Sequence, residues 1–590
     1  MQSYPVLEAL TESKIHQNYQ DKITQFFFLL NRKENDEEMA KIATILDDLL
    51  HSLKRFKDND TFLILLYKMI AHTRDIVLGK GERKLTYMMI SVWYKYYPVF
   101  AIYALHRLFD LLYLPEKSLP LDIYLNSYLS SRKHSFGCWK DIKYFCWYIA
   151  EHSAKKKEDP LIKIAITIMN DQLERDQTVV NTCLKSPEYS YYDGKYQLRK
   201  YISYVAKWVP RENTKFDWVF DKLALDWAHR TTPYYFAGGG GVGLGSVALS
   251  LVNKYKMNYR RVVSALNRIL DTVEVKQCSR MWSVICPENI TAGSLAKYKN
   301  ALMNINRGLE ERKTTTFDGD RRICSYRFKE YYKDLFNPSG ADATTSLKNY
   351  GLGHFVKTAH TLFGDSGDNE IMQNRLYLAD LLNKEAKQYV DSFDTMTGVI
   401  PFFDCCGDVN MHEALELTYI ISTKSSGKCM MVGHSSDWCE LNQDDFMQNM
   451  EKMWRVKHTD CNISTSNILD SMDIFIQSLV ASEMSNENIA KMVLVIITNK
   501  EYADIDLYNK VISKFTTVLP HIIFWNIGAK TFECFPSNAR KITMISGMNV
   551  SLLRDFKYMN LGFTSYEAIS HILNNQRFRV MEDYMHSYLV

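Results

Sequence analysis

The sequence predicts a multidomain protein. An N-terminal all-α, HEAT-like helical repeat array is followed by a C-terminal α/β, doubly wound domain. Three observations lead there. The 590 residues are too many for one hydrophobic core and suit roughly two to four domains of about 100–200 residues. Apolar residues recur at helical spacing up to about Asn306. After about Leu376 short, wholly apolar runs alternate with amphipathic ones, as strands covered on both faces do.

The helical part is clearest in "NYRRVVSALNRILDTVE". Tyr259, Val262, Val263, Leu266, Ile269, Leu270 and Val273 fall at i, i+3, i+4, i+7 spacing, with Arg261, Ser264, Arg268 and Asp271 on the opposite face. Similar stripes recur in "ATILDDLLHSLKRF" and "LTYMMISVWYKYY". Successive amphipathic helices of this length suit a stacked array, although no strict period emerges. The first domain is therefore drawn over 1–306. The stretch "FAGGGGVGLGS" (236–246) reads as a glycine-dense loop, because no Lys-Ser or Lys-Thr closes it as a phosphate loop would require. Residues 307–375 read as a loop-rich connector with a helical remainder, given "TTTFDGD" and "NPSGADATTS".

The third domain is drawn over 376–590. The helix "RLYLADLLNKEAKQYVDSF" leads into the strand "TGVIPFFD", then a helix over 411–423. A strand pair follows around "KCMMVGH" and "WCEL", then helices over 444–455 and 468–482. "MVLVIIT", "TVLPHIIFWNI" and "RKITMISGM" supply further strands. Ligands in such folds sit at the carboxyl ends of strands, where Asp404, Thr498 and Asn499 fall.

Composition narrows the function classes. Charged residues make up 24%, hydrophobic residues 46% and aromatic residues 13%, which suits packed helical surfaces rather than disorder. A net charge of +4 does not by itself signal nucleic acid, but leaves room for a local basic face. The longest apolar candidate, "VFAIYALHRLFDLLYL", carries His106, Arg107 and Asp110, so it reads as a core helix and no membrane contact is expected. The opening "MQSYPVLEALTESK" lacks a signal-peptide layout, and the 12 cysteines show no CxxC pair. They read as reduced residues in a cytoplasmic protein. No Ser-His-Asp set, paired-carboxylate site or HExxH stands out, so no enzyme activity is expected.

Two sets of residues carry chemistry. Strand-end loops offer oxygen donors for a hard cation. The first is Asp404, Cys405, Cys406, Gly407, Asp408; the second is "TDCNISTSN"; the third, "TNKE", offers Asn499. Cys429, His434 and Cys439 in "CMMVGHSSDWC" fit no common zinc spacing. In the helical part, three stretches set basic residues beside turns and aromatics. "RDIVLGKGERKLTYMMISVWY" holds Lys80, Arg83 and Lys84; "GCWKDIKYF" holds Trp139 and Lys140; "YVAKWVPRENTKFDW" holds Lys207, Trp208 and Arg211. Cations and backbone N–H groups at helix starts suit phosphates, and nearby rings suit unpaired bases. Arg261 and Arg268 extend this RNA-binding set.

The strand-end loops resemble those of a von Willebrand factor A domain, whose metal site takes Asp-x-Ser-x-Ser, a Thr and an Asp from three loops. The resemblance puts Asp404 in the first position, Cys406 and Asp408 in place of the two serines, and Asn499 in place of the last Asp. Thr465 fits the Thr, with Thr459 as a competing alignment. A thiol is a poor Mg²⁺ ligand and Asn499 removes a charge, while Asp408 restores one. The expected site is thus a degenerate MIDAS, with Mg²⁺ as the one cofactor to consider.

The motifs "GKGER", "GCWKD", "AKWVPRE", "YRRVVSALNRILDTVE", "FWNI" and "ISGMNVSLLRDF" resemble a family that joins a TROVE-like helical region to a von Willebrand A domain. Its members occur in plants, fungi, bacteria and large DNA viruses. The Ro autoantigens share this architecture, and their HEAT-like ring binds small structured RNAs and RNA ends. The resemblance implies a non-catalytic RNA-binding or ribonucleoprotein scaffold, with a protein partner on the A-like domain. The alternative is a protein–protein adaptor or structural component of a larger assembly.

Overall fold

A computed structural model describes residues 5–109, 135–185, 198–231, 246–336, 351–404, 410–499, 510–555 and 564–589. It excludes, inside them, 34, 56–59, 200, 307–308, 313–318, 364–368, 434–435, 443–444, 459–465, 516–517, 529–536 and 539–540. The chain divides into two compact units. One comprises Ala43–Ser279 with Gln576–Val590; the other comprises Met1–Ile42 with Arg280–Asn575.

The first unit is helical. Asp60–Arg74 packs on Arg83–Tyr96, which packs on Lys140–His152; Pro160–Lys185, Asp217–Thr231 and Ser246–Leu270 continue the succession. Each helix buries an apolar stripe against its predecessor. Met88, Met89, Ile90 and Trp93, for example, are at most 1% exposed. The C-terminal helix Arg579–Leu589 also belongs here and packs on Asp60–Arg74, whereas the sequence pattern joins it to the α/β domain. Apolar packing of Met581 and Met585 and two buried ion pairs place it there. Asp75 is fully buried and accepts from Arg577 Nε at 2.5 Å and Nη2 at 2.8 Å, while Lys68, 1% exposed, pairs with Glu582. A buried charge left unpaired would cost several kcal/mol, about 3–5.

The second unit is built on a six-stranded sheet of order β3-β2-β1-β4-β5-β6. The strands are β1 (Val399–Asp404), β2 (Lys428–Met431), β3 (Asp437–Glu440), β4 (Val493–Thr498), β5 (His521–Asn526) and β6 (Ile542–Ser546). All pairs are parallel except β2–β3. Every residue of β4, β5 and β6 is buried, which is why these strands read as unbroken apolar runs. Pro401 is tolerated in a central strand because its missing N–H falls on the β2 side. There Phe403 O accepts from Val432 N at 3.0 Å, and the ladder begins only at Phe402. The helix Met411–Lys424 packs against β1, β2 and β4.

Two features of this unit differ from the sequence reading. The helix Pro5–Leu29, read as part of the helical array, packs on β6 and on Ser565–Leu573. Gln17 Nε2 donates to Ser537 Oγ at 2.6 Å, Asp21 accepts from Ser537 N at 2.9 Å, and Asn31 Nδ2 donates to Gly528 O at 2.7 Å. The expected connector contains an 18-residue helix, Gly319–Phe336. Its buried side chains Cys324, Phe328 and Tyr332 recur every four residues, a stripe too narrow to stand out among its charges. The glycine-dense stretch lies outside the described residues. No helix among the described residues is long and apolar enough to cross a membrane.

Candidate nucleic-acid interface

Two of the three basic stretches are held by one buried carboxylate. Asp141, fully buried, sits in the first turn of Lys140–His152. It accepts from Arg74 Nη2 at 2.6 Å and Nε at 3.1 Å, from Tyr87 OH at 2.6 Å and from Cys138 N at 2.8 Å. Arg83 Nε adds an ion pair at 3.2 Å. Burial works to raise this carboxyl, but the Arg74 charge and hydrogen bonds, with Arg83 and Tyr87, hold it below its ordinary value. Three helices thus meet at one atom group.

The glycines of these turns are there for room. A Cβ on Gly137 would stand 2.6 Å from Asp141 Oδ2 and 2.8 Å from Leu108 O, so "GCWKD" needs its glycine for the carboxylate to approach. Trp139, 5% exposed, stacks on Phe109 with centroids 5.3 Å apart. It is a packing residue.

Above this scaffold lies a basic face with aromatic rings in it. Lys140, Lys143 and Lys207 bring their ammonium groups to 5.5, 5.3 and 5.6 Å from the centroid of Trp208. Around Tyr144 stand Lys140 at 5.5 Å, with Lys143, Lys215 and the Arg83 guanidinium each at 5.8 Å. Tyr144 and Trp208 are half-exposed, and Arg211 and Lys215 are exposed. Burial and then the charges of Lys140, Arg211 and Arg83 depress the Lys143 ammonium below its ordinary value. Acidic groups nearby pair with only part of this face, Lys207 and Arg83, or with residues outside it. Asp141 holds Arg74, Glu274 holds Lys207 at 3.1 Å, and Glu212 holds Arg260 at 2.6 Å. Among the described residues, Lys140, Lys143, Arg211 and Lys215 have no carboxylate within ion-pair distance. The face therefore carries uncompensated positive charge beside π surfaces.

The remaining expected residues distribute as follows. Lys84 is exposed beside Arg83. Lys80 is only 3% exposed, under the turn whose backbone bonds back to His72, Thr73 and Asp75, so it leaves the candidate surface. Burial and the Lys80 charge push the His72 imidazole down to about 3. Arg261 and Arg268 are exposed on Ser246–Leu270. That helix docks on the Lys207 turn through Asn267 Nδ2, which donates to Ala206 O at 2.9 Å, but the ring contacts of the face do not include either arginine. Lys143, Lys215 and Tyr144 are additions. Lys140 and Lys143 are i, i+3 neighbours on a helix, a spacing already visible in "KDIKY".

In the α/β unit, Asp404 is fully buried at the end of β1. It is registered with Thr498, which pairs with Asn526, which pairs with Ser546. A buried polar row thus crosses the carboxyl edge of four parallel strands, beside the switch point between β1 and β4. Asn499 follows it, half-buried, and its carbonyl would lie 2.5 Å from a Cβ on Gly528. Cys406, Asp408, Thr465 and Thr459 lie outside the described residues.

No family model matches this chain, and no curated protein matches it in sequence.

Proposed function

We propose that this chain is a non-catalytic RNA-binding protein, a scaffold for a ribonucleoprotein. It takes unpaired RNA on the Trp208–Tyr144 face of its helical unit. The observation that carries this reading is the convergence of Arg83, Lys140, Lys143, Lys207, Arg211 and Lys215 around two half-exposed rings. Three stretches far apart in sequence supply them. Ammonium and guanidinium groups neutralise phosphates and release their counterions. The rings offer stacking surfaces that any base can use. The ordered succession of helices supports a HEAT-like, TROVE-like array. The strand order and the place of Asp404 support a von Willebrand A-like domain with a degenerate cation site that docks a protein partner.

Anisotropy of a labelled mixed-sequence single strand, titrated with the whole protein at several salt concentrations, tests this. Binding should weaken linearly in log–log form with salt. Charge reversal at Lys140, Lys143 and Arg211 together should weaken it at least about tenfold while circular dichroism is unchanged. Equal binding by the folded triple variant would overturn the reading.

A second reading, a protein–protein adaptor, is favoured by one feature of the α/β unit. Ile323 and Tyr326 are 53% and 66% exposed on Gly319–Phe336, and Met372 and Leu376 are 53% and 60% exposed on Asn369–Asp391. Exposed apolar side chains on these two helices suit a partner surface.

A further inference from the structure

We propose that Cys429 and Cys439 form a reversible disulfide that latches the edge strand β3 onto β2. The two residues stand directly opposite one another in the antiparallel ladder, so their side chains leave the same face. Leu441 N donates to Gly427 O at 2.8 Å; counting by twos along the ladder makes Cys429–Cys439 a hydrogen-bonded pair. Such pairs hold their Cα atoms about 5.5 Å apart, inside the range of about 4.4–6.8 Å that a disulfide spans. Cys429 Sγ already lies 3.8 Å from Cys439 O. The register thus places the two sulfurs on one face at a backbone spacing a disulfide can span.

The local chemistry favours thiol–thiol reaction. The hydrogen bond from Cys429 holds the Cys439 thiol below its ordinary value against the effect of burial, with Lys452 assisting and Asp437 and Glu440 opposing. The same contact and burial raise Cys429. One partner is thus the readier thiolate and the other a protonated thiol beside it. A peroxide oxidises the Cys439 thiolate to a sulfenic acid and leaves as hydroxide. The Cys429 sulfur then attacks that sulfur, the S–O bond breaks, and water departs with the Cys429 proton. Two thiols and one hydrogen peroxide become one disulfide and two waters. The described residues bring no third ligating side chain to the pair.

The latch would act where the sheet is weakest. β3 has four residues, lies at the sheet edge and pairs with β2 alone. Open edges fray and can pair with another chain. A covalent bond to β2 holds the register closed.

The test uses the whole folded protein, treated with hydrogen peroxide, alkylated, digested and read by mass spectrometry. The expected result is a Cys429–Cys439 cross-linked peptide that disappears with dithiothreitol. Slower hydrogen exchange over Asp437–Glu440 should accompany it in the oxidised form. Cys439→Ser should abolish both, and Cys278→Ser, which removes an exposed thiol, should leave both. If exposed Cys278 oxidises while Cys429 and Cys439 remain alkylatable after denaturation, the proposal fails. A cross-link that leaves exchange in β3 unchanged overturns the latch.

Discussion

Asp141→Asn removes one charge from the centre of the helical unit and should cost about 3–5 kcal/mol. The magnitude follows from what is left behind. Arg74 is 2% exposed and finds its carboxylate in Asp141, through two hydrogen bonds of 2.6 and 3.1 Å. An asparagine that keeps its acceptor oxygen toward Arg74 and Cys138 N–H turns a donor amide toward Tyr87 OH and Arg83, which already donate. The guanidinium then stays buried beside a neutral group, and water cannot reach it. Arg83→Gln is the control. Its side chain is 40% exposed, so its loss should cost less than about 1 kcal/mol. Because the chain has two compact units, a single global unfolding free energy is not well defined. Native-state hydrogen exchange read over Asp60–Arg74, Arg83–Tyr96 and Lys140–His152 is the suitable assay. If Asp141→Asn lowers protection there by no more than Arg83→Gln does, the carboxylate does not organise these helices.

Further outcomes follow from the same residues. Trp208→Ala should weaken single-stranded RNA binding by about 1–3 kcal/mol at fixed salt and leave the salt slope alone, whereas Lys143→Gln should make the slope shallower by about 1; a changed slope for Trp208→Ala would contradict its role as a stacking ring. Gly137→Ala should destabilise the helical unit, because its Cβ meets Asp141 Oδ2 at 2.6 Å and Leu108 O at 2.8 Å; hydrogen-exchange protection over Lys140–His152 equal to the parent's would refute the close approach. Glu416 is buried under the start of His354–Leu362, where Phe355 N donates to it at 2.9 Å, and burial pushes its carboxyl up to about 8 despite those hydrogen bonds. A raised acid binds its proton more tightly when folded, so its contribution is complete below about pH 4.5 and is lost as pH rises through about 8. Urea stability of the α/β unit should therefore fall across that window, and Glu416→Gln should flatten the fall; parallel curves for the two proteins would refute it.

Much of the α/β unit was legible before any coordinates. β4, β5 and β6 are buried on both faces, and such strands are largely apolar, with polar residues mostly at their ends, so the pattern survives in one dimension. The helix Gly319–Phe336 was legible only as part of a helical remainder, because its buried apolar side chains Cys324, Phe328 and Tyr332 form a narrow stripe at four-residue spacing. The basic stretches were visible as charge beside turns, but their fates differ. Lys80 sits beneath a turn, while Lys143, marked in sequence only by its i, i+3 spacing from Lys140, stands among Lys140, Arg211 and Arg83. Burial depends on what the rest of the chain places overhead, and no window of sequence holds that information.

The sequence by itself determined the element types, the parallel character of the sheet and the polar residues at its strand ends, since each follows from local periodicity. Only the tertiary structure decided which segments share a core. Pro5–Leu29 joins the sheet through Asp21, Gln17 and Asn31, and Arg579–Leu589 joins the helices through Arg577 and Glu582. These choices are made by single buried charges and amides finding partners about 500 residues away, and the strength of such a pair depends on distance in space, to which sequence separation is no guide.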